Sequence, residues 1–167
     1  SGGSGGNCIP SLMDDVFFFC YSFSQAGEIV TVTNTPATCK NMDWTGAAFN
    51  PEINGMGGLG TVSLYGSMVL NAGVQWSVYE MRFVGSAVGN TILTAGVQIP
   101  ALVMDGTGTW TLLDDFHGDG LGIYQGTFNS GNNDIYADVF SANGNNAAIF
   151  VDLGTSTLYL GERYIAF

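Results

Sequence analysis

From residue 61 onward, short apolar runs alternate with turn-forming residues. The runs 61–70, 73–84, 91–98, 101–104, 109–113, 121–128, 134–141, 147–153 and 157–167 end at Asn/Gly, Gly/Ser, Pro or Asp/Gly stretches. Within them hydrophobic residues recur every second position: Val62, Leu64, Met68 and Leu70 share one face of an extended chain, and Ile135, Ala137 and Val139 share another. The separators NSGNN, NGNN and GTS have the chemistry of tight turns, tolerating positive φ or bonding their own backbone. With 16–24 and 28–33 the pattern predicts about ten or eleven strands. Only a single turn near Pro10-Ser11, with Ser11 as cap, reads as helical.

The segment VFFFCYSF, 16–23, is uncharged and rich in rings. As one strand it points Phe17, Phe19, Tyr21 and Phe23 to one side and Phe18, Cys20 and Ser22 to the other. The ring-bearing side is expected to face the core. The second side, uncharged and headed by Phe18, is expected to be covered by a neighbouring copy or by the N-terminal arm, so Phe18, Cys20 and Ser22 are candidate assembly residues.

Regularly spaced short strands predict an all-β fold, an antiparallel β-sandwich of jelly-roll type with about ten strands. No repeat or linker divides the chain, so 1–12 is expected to be a flexible or extended arm and 13–167 a single domain. Strand counting puts the loops 114–120 and 143–146 at one end, and 105–108, 129–133 and 154–156 at the other.

Composition narrows the function. The chain has 167 residues, 46% hydrophobic and 10% charged, with a net charge of −11. Its fixed cations are Lys40, Arg82 and Arg163, too few to neutralise a phosphate backbone or to settle on an anionic membrane. Nucleic-acid and membrane partners are therefore not expected. The 25 glycines accompany many apolar residues, which argues for a packed fold and not disorder. The surface must then be dressed with Ser, Thr, Asn, Gln and Gly, as suits extracellular particles and lattices.

Cys8, Cys20 and Cys39 leave at least one thiol unpaired within the chain. Reduced, buried cysteines are the preferred reading, with a Cys8–Cys39 bridge as the alternative. The sequence shows no signal peptide, stop-transfer segment or Asn-x-Ser/Thr sequon, and SGGSGG at the start reads as an arm or a linker.

Catalytic and metal chemistry finds little purchase. Gly55-Met56-Gly57-Gly58-Leu59-Gly60 matches a dinucleotide fingerprint by letters, but a strand follows it where the fingerprint needs a helix. His117 is the single histidine, no G-x-S-x-G elbow accompanies it, and it reads as a surface loop residue. Asp114, Asp115 and Asp119 could gather around a calcium ion, yet their spacing is not that of an EF-hand and a solvated acidic loop is preferred. Glu80 and Arg82, two apart, read as a structural ion pair, and no two acids are placed opposite each other as a glycosidase needs. Trp76 and Trp110 are in phase with core residues, whereas Trp44 in NMDWTG reads as a loop residue suited to a contact surface. No catalytic residue, organic cofactor or obligatory metal is expected.

The segments GTVSLYGSMVLNAGVQWSVYEMRFVGSAVGNT (60–91) and GIYQGTFNSGNNDIYADVFSANGNNAAIFVDLGTSTLYLGERYIAF (122–167) resemble the jelly-roll heads of trimeric bacteriophage fibres and capsid-decorating proteins, similar to C1q/TNF-like domains. The resemblance lies in the succession of strand, Asn/Gly turn and strand, and covers about the last two thirds of the chain. It implies a non-enzymatic virion surface protein, a homotrimer, with a major capsid protein or a host surface glycan as partner. Alternatives are a secreted filament or adhesin subunit joined through its arm, and a carbohydrate-binding module.

Overall fold

A computed structural model describes residues 9–33, 36–144 and 146–161 and the backbone of the strand Ile165–Ala166. Cys8, Glu162, Arg163 and most of the expected N-terminal arm lie outside the described residues. The fold is all-β, as the alternation requires, but every strand pairing is parallel. The chain winds as a β-solenoid of about six turns. This overturns the antiparallel sandwich, and with it the jelly-roll resemblance.

Each of the first three turns contributes three short strands. Face 1 stacks Val16–Phe17, Met42–Asp43, Met68–Val69 and Asn90–Leu93, followed by the ends of two longer strands, Ile99–Leu112 and Phe116–Asn129, and by Ile149–Asp152. Face 2 begins with Ile29–Val32, Glu52–Gly55 and Gln75–Ser77 as a separate three-stranded sheet. In later turns the same place in the winding is taken by the starts of the two long strands, then by Ile135–Ala142 and Leu158–Leu160. Face 3 stacks Ala37–Cys39, Thr61–Leu64 and Glu80–Phe83 on the middles of the long strands. Ile99–Leu112 and Phe116–Asn129 therefore run across all three faces, bending at register shifts between Met104 and Thr109.

The register gives the winding. Val16, Met42, Met68, Ile92 and Leu112 are successive rungs, so turns take 26, 26, 24 and 20 residues. Trp110 then pairs with Phe128 and Phe128 with Val151, giving 18 and 23. Apolar rungs line the interior: Trp44, Leu64, Met68, Met81, Phe83, Ile92, Ile99, Trp110, Phe116 and Phe128 are all fully buried. Trp76 and Trp110 are core residues, as their phase indicates, and each indole N–H donates to a backbone carbonyl, of Val78 and Gly66 respectively, at 3.1 Å.

Corners are built from one device. Directly after face 1, a side-chain oxygen accepts the N–H two residues on: Asp43 from Thr45 (2.7 Å), Asn71 from Gly73 (2.9 Å), Thr94 from Gly96 (3.3 Å), Asn129 from Gly131 (2.7 Å) and Asp152 from Gly154 (3.0 Å). At the corner between faces 3 and 1, successive backbones come very close. A Cβ on Gly85 would meet the carbonyl of Tyr65, one on Gly106 that of Gly85, and one on Gly126 that of Gly106. Between turns, side chains hold the backbone of the next rung: Asn41 accepts from Ser67 N–H (2.6 Å) and Ser67 from Thr91 N–H (3.0 Å).

The winding also corrects the reading that no repeat is present. Asn71-Ala-Gly-Val-Gln75 and Thr94-Ala-Gly-Val-Gln98, 23 residues apart, are one corner used twice.

Candidate functional site

The aromatic segment is the first site the structure rearranges. Val16 pairs with the inward-facing Met42, so Phe17 pairs with Asp43 and faces out. The strand stops at Phe17, and the chain turns at once, with Ser22 N–H donating to the Phe19 carbonyl (2.9 Å) and Phe19 N–H to Ser22 Oγ (2.9 Å). The expected parity is thereby reversed for Phe17, Phe18, Phe19 and Tyr21, while Phe23 is buried in the core as expected. Phe18 packs inward, 3.7 Å between ring centroids from Trp44, and Phe23 completes the cluster. Phe17 and Phe19 stack on each other outside at 5.9 Å, and Tyr21 is 95% exposed. Of the candidate assembly residues, Phe18 is half-buried and packs inward against the core, Ser22 closes a turn and Cys20 is exposed as a free thiol. Trp44, expected at a contact surface, is fully buried, and among the described residues its Nε1–H finds no acceptor.

This segment rims the N-terminal end of the solenoid. A cavity of about 290 Å³ opens there, lined by inward residues of the first turns, among them Val16, Phe18, Val30, Val32, Ala37 and Cys39. Burial pushes the Cys39 thiol up to about 12, and the nearby charge of Asp15 adds to it. The acids at this end are satisfied locally: Asp14 by Ser11 N–H and Oγ–H, and Glu28 by Ser24 and Gln25, which hold both carboxyls below their ordinary range.

The acidic loop expected at 114–120 is not one loop, since the strand Phe116–Asn129 begins inside it. Asp114 accepts from Thr94 N–H (2.8 Å) and Oγ1–H (3.0 Å), and Asp115 from Asp134 N–H (2.8 Å). Asp134 in turn accepts from Thr157 N–H (2.8 Å). These carboxylates pin one turn to another, while Asp119 stands apart beside Gln98 Nε2 (3.4 Å). Among the described residues no three His, Cys, Asp or Glu converge on a metal position. Glu80 and Arg82 form the ion pair their spacing suggests (2.7 Å), extended by Asp105 (2.6 Å), and both acids hold the guanidinium above its ordinary range.

The second feature lies on face 2 and was not legible as a group. His117, Tyr136 and Tyr159 occupy the same outward position on consecutive rungs. Their rings stack at 4.5 Å and 4.4 Å, within 7° and 1° of parallel. His117 is thus an exposed strand residue and not a loop residue. Two residues on, still outward, Asp119 and Asp138 form a second row, between the paired positions Gly118/Ala137 and Gly120/Val139. A shallow trough of about 400 Å³ follows the ring row, with Gln98 at one end and Gly161 at the other. The Tyr136 phenol is raised, first by desolvation, then by Tyr159, Asp134 and Asp115. The sequence signal was available as matching phase, in DFHGDG, DIYAD and TLYLG, but only a parallel register makes these positions neighbours.

Compared with known proteins, the sequence matches no family model, and no curated protein and no solved structure matches it.

Proposed function

We propose that this chain is a non-enzymatic structural protein of a virus surface or a comparable extracellular assembly, acting by self-association and surface contact. The N-terminal end carries the reading. A solenoid is sound in water only when its terminal turn is capped by polar groups. Here the first turn surrounds an apolar cavity, among the described residues no rung pairs beneath its strands, and Phe17, Phe19 and Tyr21, neighbours in sequence of the cavity-lining Phe18, are exposed. Aromatic residues around an apolar centre are the composition of a protein interface. The sparse charge and the Ser, Thr, Asn and Gly surface suit an extracellular lattice, which is an association by composition. The homotrimer is implied only by the jelly-roll resemblance, which the parallel winding overturns.

Size-exclusion chromatography with light scattering tests the proposal. The intact chain is expected to associate, and the double substitution Phe19→Asp with Tyr21→Ser to shift it towards monomer with an unchanged β circular dichroism spectrum. A concentrated intact chain that stays monomeric would sink the reading.

A further inference from the structure

We propose that the trough on face 2 is a binding site for an uncharged, hydroxyl-rich chain, an oligosaccharide without acid groups, lying along the solenoid axis. Rung spacing supports a repeating ligand: parallel strands recur at about 4.8 Å, so a chain laid along the axis meets a member of the ring row at each turn. One wall is the row His117, Tyr136 and Tyr159. Because these rings stack face to face, they cover one another's faces and offer edges and phenolic oxygens, which suits hydrogen bonding and not an apolar partner. The other wall is Asp138, an exposed acceptor that calls for a donor, while Asp119 lies beyond the lining and already accepts from Gln98 Nε2 (3.4 Å). Gln98 adds an amide, donor and acceptor together, at the end of the ring row.

Charge narrows the ligand further. Among the described residues no lysine or arginine lines the trough, and the chain carries −11 overall, which disfavours phosphate, sulfate and uronate groups. A cationic chain would meet the carboxylate but few ring faces, since stacking covers those between His117, Tyr136 and Tyr159. Hydroxyls can use both walls, donating to Asp138 and the Gln98 carbonyl oxygen and accepting from the phenols. Gly161 keeps the space open: a Cβ there would fall against the Asp138 carboxylate.

Titration calorimetry of the intact chain with cellohexaose, N-acetylchitohexaose and mannohexaose is the test, set against tetragalacturonate and hexalysine. At least one neutral oligosaccharide is expected to bind. Asp138→Asn and Tyr136→Phe keep the shape of the site and remove its charged acceptor and one hydroxyl. The first is expected to weaken binding about tenfold and the second less, both with the melting temperature held. The proposal fails if no neutral oligosaccharide binds, if tetragalacturonate or hexalysine binds more tightly, or if both variants bind as the intact chain does. The last result would leave the stacked rings a purely structural ladder.

Discussion

The first two turns and the later ones are built from the same rung but solve different problems. Before residue 90 the strands have two to four residues, whereas Ile99–Leu112 and Phe116–Asn129 have 14 each and Ile135–Ala142 has eight. Turn length explains it. Turns of 26 residues have length to spare for loops between faces; turns of 20 and 18 do not, so strands of adjacent faces fuse and bend at glycine corners. The surfaces differ too. Ten of the sixteen exposed large hydrophobic residues among those described lie between Ile9 and Leu59, while the later turns turn outward with ordered polar and ring ladders. The early turns thus leave apolar surface for something else to cover, and the later turns satisfy themselves rung by rung. In a structure where each turn touches only its neighbours, such a difference can persist without averaging out.

The sharpest way to break this comparison is at Phe18. Phe18→Asp places a charge against Trp44 and is expected to destabilise the early turns by about 3–5 kcal/mol, whereas Phe19→Asp is expected to change stability by no more than about 0.5 kcal/mol. Urea denaturation of the two variants decides it, and equal effects would mean the segment is oriented otherwise. In the later turns the equivalent weak point is the backbone. Gly106→Ala drives a Cβ into the Gly85 carbonyl and should cost about 1–3 kcal/mol. Gly120→Ala, where a Cβ meets nothing within 4 Å, should be tolerated.

A finer probe of the self-satisfied turns is Asp114→Ala. It removes the acceptor shared by Thr94 N–H, its hydroxyl and Gly96 N–H, at a cost of about 1–3 kcal/mol. Addition of calcium should not restore the loss, because the carboxylate binds backbone. The smallest effect at neutral pH belongs to Cys39. Its folded pKa of about 12 lies above the ordinary 9.0, so its contribution is whole below pH 9 and is lost as pH rises from 9 towards 12. Melting temperatures across that window should fall less steeply in Cys39→Ala. Alkylation mapped by mass spectrometry at pH 8 should mark Cys20 well before Cys39, since one is exposed and the other buried.

Much of the local structure was legible. Val62, Leu64, Met68, Leu70, Ile135 and Ala137 show their inward phase in the sequence, Trp76 and Trp110 fall on the core side, and the Glu80–Arg82 pair follows from spacing. The failures have a common origin. Phe18 was assigned outward by assuming that eight aromatic-rich residues make one strand, and a turn at Phe19–Ser22 removes that premise. Trp44 sits among turn residues, but its position one step past the rung Met42–Asp43 swings it inside onto Phe18 and Phe23. The ring row on face 2 was invisible because its members are 19 and 23 residues apart.

The sequence by itself determined that the chain is all-β and, to within a residue or two, where a few strands such as Ile29–Val32, Ile135–Ala142 and Ile149–Asp152 lie. It could not determine which strands pair, or in which direction. Side chains alternate with a period of two in parallel and antiparallel sheets alike, so the hydrophobic pattern is silent about the partner. In this chain turns of 18 to 26 residues also blur the period that would announce a solenoid. Parallel stacking was decided by contacts a full turn apart: backbone approaching backbone at Gly85, Gly106 and Gly126, and side chains that hold the N–H groups of the next rung. Those contacts exist only once the chain has wound, which is why the tertiary structure alone brings Asp119 beside Asp138 and His117 onto Tyr136.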